Sequence, residues 1–466
     1  MKSSTSSASV AAALLIAGLI PAVLAAPSVV QTPYNDTSDV SPNAIVTLGE
    51  VLRSAGQRAQ VQQRQAEVDV SRADADRVRR AGRYPTLSAN AFATRSDDVA
   101  NINTESFTSD IDGLDNLPNQ RFPLGDRSQQ GATLELRQPL VDIAQQAYGA
   151  PAAVKQLNAA RSTLDRARVQ AIVGAATAYL DALSIKAREQ ANAALIDDLA
   201  ARTHKLESLR QVGRALKSDV LEIQYALADA RQDQLDLTSH YRVAEARLGQ
   251  AMGRDEPVTP SNLPAIPFTT TNDTQQLIRQ ALTQREDLAA LDQQIQAAEL
   301  QIKAISAQRL PSVDAVASLS YNNGNVFLPD HQKQIGAQLT WRPFAGGQIS
   351  AQKRAASARL AGLRSGRTEL VRDISVSVRQ DAARLQSASD QRRISQLGVD
   401  SAQASRDTLS ARMDVGRANI SDVLESDTRL ADRRAAALST GYDELAAWIQ
   451  LQGTLGDAAA LAELTR

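Results

Sequence analysis

The sequence predicts a mostly α-helical protein built from two copies of one unit, each with a β-hairpin set between long helices. An eleven-residue segment occurs twice with nine identical positions, as VGRALKSDVLE at Val212–Glu222 and VGRANISDVLE at Val415–Glu425. The same shift of 203 residues (415 − 212) carries Gly253 onto Gly456. Aromatic residues make up only 3% of the 466 residues and cysteine is absent, which is typical of long helices with narrow seams.

The first residues predict an export signal. Lys2 precedes an apolar run, Val10–Leu24, that ends in small or aliphatic residues, so residues 1–25 are expected to be a cleaved signal peptide. An uncleaved anchor is the alternative, but a run of ~15 residues is short for a membrane span. Residues 26–46 contain several prolines and are expected to be a flexible N-terminus.

Charge argues against a polyanionic partner. The chain has 51 basic and 52 acidic residues, a net charge of −1, and the arginines of Arg72–Arg83 alternate with alanine and aspartate as on a solvated helix face. Since nucleic-acid binding requires a concentrated basic surface, we expect no nucleic-acid partner.

The first repeat is predicted over residues 47–253. A helical spacing of apolar residues runs from Thr47 to about Arg80, and the turn at Pro85 ends it. A β-hairpin is expected over 84–139, because apolar and polar residues alternate on both sides of a long polar loop, Arg95–Gln129.

The second repeat is predicted over residues 274–456 with the same layout. Its first helix begins near Thr274 and ends at Pro311, and its β-hairpin, residues 311–343, has a shorter loop, Asn322–Lys333. Residues 254–273, with four prolines, form the predicted linker, and residues 457–466 form a C-terminal tail.

The returning helices are predicted to be long and to pack as coiled coils. Apolar residues recur by sevens in the first of them, at Leu157, Leu164, Ala171 and Ala178. The repeated segment then turns the chain: Gly213 can adopt positive φ, and Ser218, with Glu222 or Asp219, opens the next helix.

The four strands have about the length that crosses a bilayer, and this predicts oligomerisation. A sheet edge inside a membrane leaves backbone groups unpaired at several kcal/mol each, so four strands cannot remain alone. Two chains would supply eight strands and three would supply twelve, with room for a lumen. Trp341, Phe344, Tyr321 and Phe327 fit interfacial aromatic girdles. The alternative is a soluble coiled-coil protein that carries two hairpins.

These features together resemble the TolC-like outer-membrane efflux proteins over nearly all of the mature sequence. The resemblance is carried by the two-fold repeat, the proline before each hairpin, the exits Pro139–Asp142 and Pro343–Gly347, and the duplicated turn. It implies a homotrimer with a twelve-stranded β-barrel in outer-membrane lipid and a helical tunnel in the periplasm. An adaptor protein and an inner-membrane transporter would dock at the helical tip, and no cofactor or metal is expected.

The resemblance also implies roles for the two turns. Val212, Gly213, Val415 and Gly416 match the residues that contact the adaptor, and Asp422 and Glu425 match the acidic pair that narrows the tunnel mouth. Asp219 matches one side of an ionic latch. The basic partner position falls on Ala418, and Arg417 precedes it by one residue, so the latch expected here is Asp219 with Arg417. For Asp219 and Asp422, the alternative role is a charge that stabilises a helix N-terminus.

No enzyme is predicted. His204, His240 and His331 lie on different elements without ligand-spaced carboxylates, and the segment Gly213–Ser218 lacks the second glycine of a phosphate loop. The leading hypothesis is a passive exit duct for a drug, metal or protein driven by a separate transporter. The alternative is a periplasmic coiled-coil scaffold without a channel.

Overall fold

The computed structural model describes residues 44–99, 101–103, 121–123, 125–262, 273–325, 329–415 and 417–463. The chain divides into Met1–Ala44 and Ile45–Arg466, and every element below belongs to the second unit. The predicted signal peptide, Phe327 and Gly416 lie outside the described residues.

Each repeat opens with two helices rather than with the single helix that the periodicity suggested. In the first repeat, α1 (Leu48–Ala55) and α2 (Ala59–Ala81) are separated at Gly56. In the second repeat, α5 (Thr274–Gln284) and α6 (Glu286–Ala307) are separated by Arg285, whose backbone is extended. The break lets the short helix of each pair turn its apolar side into the core.

Four long helices form most of the chain. They are α3 (Ala150–Gln211) and α4 (Lys217–Ala251) in the first repeat, and α7 (Gln348–Asp414) and α8 (Ile420–Leu455) in the second. A π-helical turn, Ala144–Gly149, precedes α3, and a short helix, α9 (Ala458–Glu463), follows α8. At ~1.5 Å per residue, α3 alone is ~90 Å long.

The repeat seen in the sequence recurs in the backbone. Helices α4 and α8 both end before a glycine of positive φ, Gly253 at 78° and Gly456 at 79°. The predicted seam of α3 is confirmed at Leu157, Leu164 and Ala171, which are buried, and Ala178 is partly buried against the same core. The limits of the two repeats as domains stay a prediction.

Eight strands are described. They are β1 (Ile45–Val46), β2 (Thr86–Arg95), β3 (Asn101–Asn103), β4 (Arg121–Pro123), β5 (Gly125–Val141), β6 (Thr259–Pro260), β7 (Ser312–Asn325) and β8 (His331–Thr340). The first hairpin loop was predicted to reach Gln129, but β5 begins at Gly125, and β3 pairs with β4 inside the predicted loop. The segment expected to be flexible up to residue 46 ends in β1, which pairs in parallel with β6.

The main sheet is antiparallel, in the order β2-β5-β7-β8. The two repeats meet at its centre, where β5 pairs with β7. Within the described residues β2 and β8 each have one strand neighbour, so both outer edges of the sheet are open.

The register gathers apolar side chains on one face of this sheet. Leu87 lies opposite Leu136, Leu134 opposite Leu319, and Ala317 opposite Ile335. Several of these side chains are exposed in the single chain, Leu87 to 65% and Ile335 to 91%. The other face is mostly polar, although it includes Phe92 and Val316, and it carries an ion pair of 2.5 Å between Arg137 and Asp314. The mostly helical fold with four long strands is therefore confirmed.

The apolar core has two separate parts. The larger cluster joins both repeats around α1, α3, α5 and α8, and Tyr179 within it donates a 2.7 Å hydrogen bond to the Ser261 carbonyl. A smaller cluster, which we call the tip cluster, lies beside the two repeated turns and consists of Leu199, Leu206, Val220, Ile223, Leu227, Ala230, Ile420 and Leu424. None of the described helices is both long and apolar enough to cross a membrane.

Candidate functional site at the two repeated turns

The first repeated turn is built around a glycine that needs positive φ. Helix α3 ends at Gln211, Val212 is its C-cap residue, and Gly213 follows with φ of 72°. The Arg214 amide donates back to the Leu209 carbonyl at 2.8 Å, which satisfies a free carbonyl at the helix end. An added Cβ at Gly213 would meet nothing within 4 Å, so backbone conformation rather than space selects glycine there.

The second turn is closed by an equivalent hydrogen bond. The Arg417 amide donates to the Arg412 carbonyl at 2.8 Å, at positions equivalent to those of the first turn. Val212 and Val415 are exposed to 68% and 67%. The duplicated sequence thus presents two alike turns, each with an apolar residue in solvent.

The expected latch residue Asp219 caps its own helix. Its carboxylate accepts a 3.2 Å hydrogen bond from the Leu216 amide and a 3.1 Å bond from the Ser218 hydroxyl. In the described part of the chain no ion pair joins Asp219 to Arg417. The single subunit therefore favours the helix-terminus role for Asp219, and the latch stays a prediction.

The acidic pair after the second turn points into solvent. Asp422 lies in the first turn of α8 and is exposed. The Glu425 side chain is 69% exposed and pairs at 2.5 Å with Arg429 one helical turn away. An exposed ion pair between residues four apart on a helix stabilises the protein by only about a few tenths of a kcal/mol. The Glu425 carboxylate can therefore separate readily from Arg429.

One hydrogen bond joins the two turns directly and was not predicted. The Ser421 hydroxyl donates to the Glu222 carboxylate at 2.7 Å. Both residues belong to the duplicated segment, at different positions of its two copies. The sequence repeat drew attention to both segments but did not predict a contact between these two residues.

Four charged residues beside the tip cluster contact one another through ion pairs. We call them the charge cluster. Asp198 and Arg202 lie on α3, Arg406 on α7 and Asp427 on α8. Arg202 Nε lies 3.2 Å from Asp198 and 3.1 Å from Asp427. Arg406 likewise contacts Asp198 at 3.3 Å and Asp427 at 3.2 Å.

Burial makes this cluster different from the surface pairs along the helices. The Asp427 side chain is only 2% exposed, and that of Arg202 is 16% exposed. Burial raises the pKa of Asp427, and the nearby arginines oppose that rise. Burial also acts to lower the pKa of Arg406, but its bond to Asp427 and the two acidic charges raise it overall. Sequence reasoning missed this cluster because its members come from separate helices with no shared motif.

Three of the four predicted aromatic girdle residues are described, and they lie near the ends of the sheet strands. Trp341 is 59% exposed, follows β8 and donates from Nε1 to the Arg309 carbonyl at 3.1 Å. Phe344 is 84% exposed, and the Tyr321 ring lies 5.1 Å from the ring of His331 at the opposite end of the strands. Among the described residues no group of three or more His, Cys, Asp or Glu side chains is arranged to hold a metal ion.

Comparison with known proteins places this arrangement in one family. The model of the outer membrane efflux protein family matches residues 53–254 and 277–457. The chain belongs to this family of outer membrane efflux proteins.

Individual relatives agree with this assignment. The outer membrane efflux protein BepC of Brucella suis is 23% identical over 386 residues, covering 80% of this chain and 82% of BepC. The outer membrane protein VceC of Vibrio cholerae shares the fold with a TM-score of 0.69 at 18% identity, covering 88% of this chain and 96% of VceC. The MtrE outer membrane channel of Neisseria gonorrhoeae has a TM-score of 0.69 at 16% identity, covering 91% of this chain and 94% of MtrE.

Proposed function

We propose that this protein is the subunit of a homotrimeric channel in the outer membrane and forms the passive exit duct of a tripartite efflux or type I secretion system. Family membership supports the efflux-channel role. The observation that carries the trimer is the four-stranded sheet with one exposed apolar face and two open edges.

The sheet explains why the channel needs several chains. An unpaired strand edge is not tolerated in hydrocarbon, so β2 and β8 each require a neighbour from another subunit. Three chains give twelve strands, a number that encloses a lumen. The face with Leu87 and Ile335 would contact lipid, and the face with Arg137 and Asp314 would line the lumen.

The aromatic residues fit this orientation. Trp341 and Phe344 lie where β8 leads into α7, so they would mark the periplasmic interface of the membrane. Tyr321 lies at the other end of the strands. The long helices then extend into the periplasm, and the repeated turns form the end that faces the inner membrane.

The turns are suited to docking a partner. Val212 and Val415 expose apolar side chains and are followed in the sequence by Gly213 and Gly416. We assign these four residues to contact with a periplasmic adaptor, which would couple the duct to an inner-membrane transporter. The transporter, rather than the duct, would select the substrate.

Asp422 and Glu425 are proposed to narrow the tunnel at its tip. Three copies would place six carboxylates around one axis, which attracts cations and resists close approach. We expect the double variant Asp422→Ala, Glu425→Ala to bind a blocking multivalent cation at least about tenfold more weakly, equivalent to about 1.4 kcal/mol. Single-channel recording in planar bilayers with increasing concentrations of hexamminecobalt measures this.

The matched control is Asp390→Ala together with Asp400→Ala, which removes two acidic residues of α7 away from the turn. Block should be unchanged in this control. Unchanged block in the Asp422, Glu425 variant would place the constriction elsewhere. If the wild-type protein does not conduct at all, the periplasmic scaffold is the better assignment.

A further inference from the structure

The segment that leads from β8 into α7 is strongly basic. From residue 341 to residue 368 the chain has six basic and no acidic residues, although its net charge is −1. Farthest from the sheet, Arg364 and Arg367 form ion pairs of 2.7 and 2.6 Å with carboxylates of α6. The basic residues nearest the sheet are exposed and have no ion pair with any described residue. They are Arg342, Lys353 and Arg354.

These cations lie beside the aromatic residues at the end of the sheet where the long helices begin. Arg342 follows Trp341 directly, and Arg354 lies within ~10 Å of the start of α7 along the helix axis. Arg309 adds a further exposed cation, since its side chain donates to the Ser350 hydroxyl at 3.0 Å in the first turn of α7. The headgroup layer of a bilayer is about 5–8 Å thick on each side, so these charges fall within its reach.

A second basic group precedes β2 at the same end of the sheet. Residues 77–96 contain five basic and no acidic residues. Arg80 and Arg83, at the end of α2, are exposed and form no ion pair within the described part of the chain. Tyr84 follows them and is 63% exposed. The arrangement of cations next to an exposed aromatic ring therefore occurs at both outer strands.

A trimer would bring the two basic groups together. Strands β2 and β8 are the open edges of the sheet, so β8 of one subunit would pair with β2 of the next. Chain direction then places the end of β8 at Thr340 beside the start of β2 at Thr86. Like charges at this joint repel one another unless an anion lies between them.

We propose that each β8–β2 joint of the trimer binds the phosphate headgroup of an anionic phospholipid. This site rests on the proposed trimer and is complete only where two subunits meet. Arginine and lysine form strong charge-assisted hydrogen bonds with phosphate. Leu87 and Leu339 lie on the apolar face next to the joint, 65% and 64% exposed, and would contact the acyl chains of the same lipid.

The charge is confined to one end of the strands, which assigns the lipid to the leaflet that faces the periplasm. At the other end, acidic residues offset the basic ones among the described residues. The acidic residues there are Asp97, Asp98, Asp126 and Asp330, and the basic residues are Arg95, Arg127 and Lys333.

The test is native mass spectrometry of the detergent-extracted trimer with dioleoylphosphatidylglycerol and dioleoylphosphatidylcholine at equal concentrations. The wild-type trimer should retain phosphatidylglycerol in preference to phosphatidylcholine, with one lipid at each joint. Lys353→Gln together with Arg354→Gln should weaken phosphatidylglycerol binding about tenfold, the factor that corresponds to 1.4 kcal/mol. Phosphatidylcholine binding should not change.

Two control variants separate the site from general charge. Lys353→Arg together with Arg354→Lys keeps both charges and should bind phosphatidylglycerol like the wild type. Arg379→Gln together with Arg412→Gln removes two exposed cations from α7 far from the sheet and should also leave binding unchanged. An equal loss of binding in this second control would overturn the site.

Arg80→Gln together with Arg83→Gln tests the other side of the joint and covers the case in which the α7 variant does not assemble. It should weaken phosphatidylglycerol binding as well. Unchanged binding in the variants that form trimers would overturn the lipid site. Displacement of the lipid by inorganic phosphate at the same concentration would overturn it too, because the site would then hold free phosphate. A wild-type protein with the mass of a monomer would refute the proposed trimer instead.

Discussion

Replacing Gly249 by alanine should strongly destabilise the protein. Gly249 lies near the end of α4, and a Cβ built there would sit 2.1 Å from the Glu256 carbonyl oxygen. That oxygen belongs to the backbone leading to β6, which cannot move without disturbing the Val258–Glu245 hydrogen bond. We expect a loss of about 3 kcal/mol, well above the gain in helix propensity of about 1 kcal/mol.

Thermal unfolding followed by far-UV circular dichroism measures this effect. Gly362→Ala is the matched control, because Gly362 lies inside α7 with nothing within 4 Å of an added Cβ. The control variant should melt at the same temperature as the wild-type protein or at a slightly higher one. If Gly249→Ala and the wild-type protein melt at the same temperature, the backbone at Glu256 does not pack closely against α4 at Gly249.

Arg285→Gln should produce the second large loss of stability. Arg285 lies at the break between α5 and α6, is 9% exposed in its side chain and binds both oxygens of Asp287. It also donates to the Thr454 carbonyl at 3.4 Å, close to the end of α8. Removing it leaves the partly buried Asp287 carboxylate without its main partner, at a cost of about 3 kcal/mol near neutral pH.

The loss should depend on pH in a defined direction. Burial by itself would raise the pKa of Asp287, but the hydrogen bond and charge of Arg285, together with Arg166, lower it. A lowered pKa stabilises the folded state above the ordinary aspartate range and loses that effect as the pH falls through the folded pKa. The difference in free energy of unfolding between wild type and variant should therefore shrink below a pH of about 4.

Chemical denaturation at several pH values tests this sign. Arg279→Gln is the matched control, since Arg279 pairs with Asp273 at 3.9 Å with side chains exposed to 70% and 56%. The control should change stability by less than about 0.5 kcal/mol at every pH. A deficit for Arg285→Gln that grows on acidification would contradict the assigned role of Asp287.

The sequence predicted those features that depend on local pattern. Gly213 and the repeated segment predicted two alike turns, and the hydrogen bonds of Arg214 and Arg417 to equivalent carbonyls confirm them. Alternation predicted the strands and their apolar face, and heptad spacing predicted the buried seam that contains Leu157 and Leu164.

Features that depend on distant contacts were not predictable in the same way. The break at Arg285 follows from its bonds to Asp287 and Thr454, which override a helical spacing that continues through it. The charge cluster joins Arg202 to Asp427 across 225 residues of sequence, and arginine and aspartate are too frequent in this chain for their types to suggest a pair. Asp219 is an acidic residue, as an ionic latch requires, but its carboxylate accepts a hydrogen bond from the Leu216 amide instead of pairing with Arg417.

The most direct test of the account is the conductance of the wild-type protein. Detergent-extracted protein, shown to be trimeric by light scattering, would be added to one side of a planar bilayer. If the protein is a channel, we expect discrete conductance steps, and a multivalent cation added on the side of the helical tip should block them. A folded trimer that inserts into the bilayer but produces no conductance would contradict the central claim.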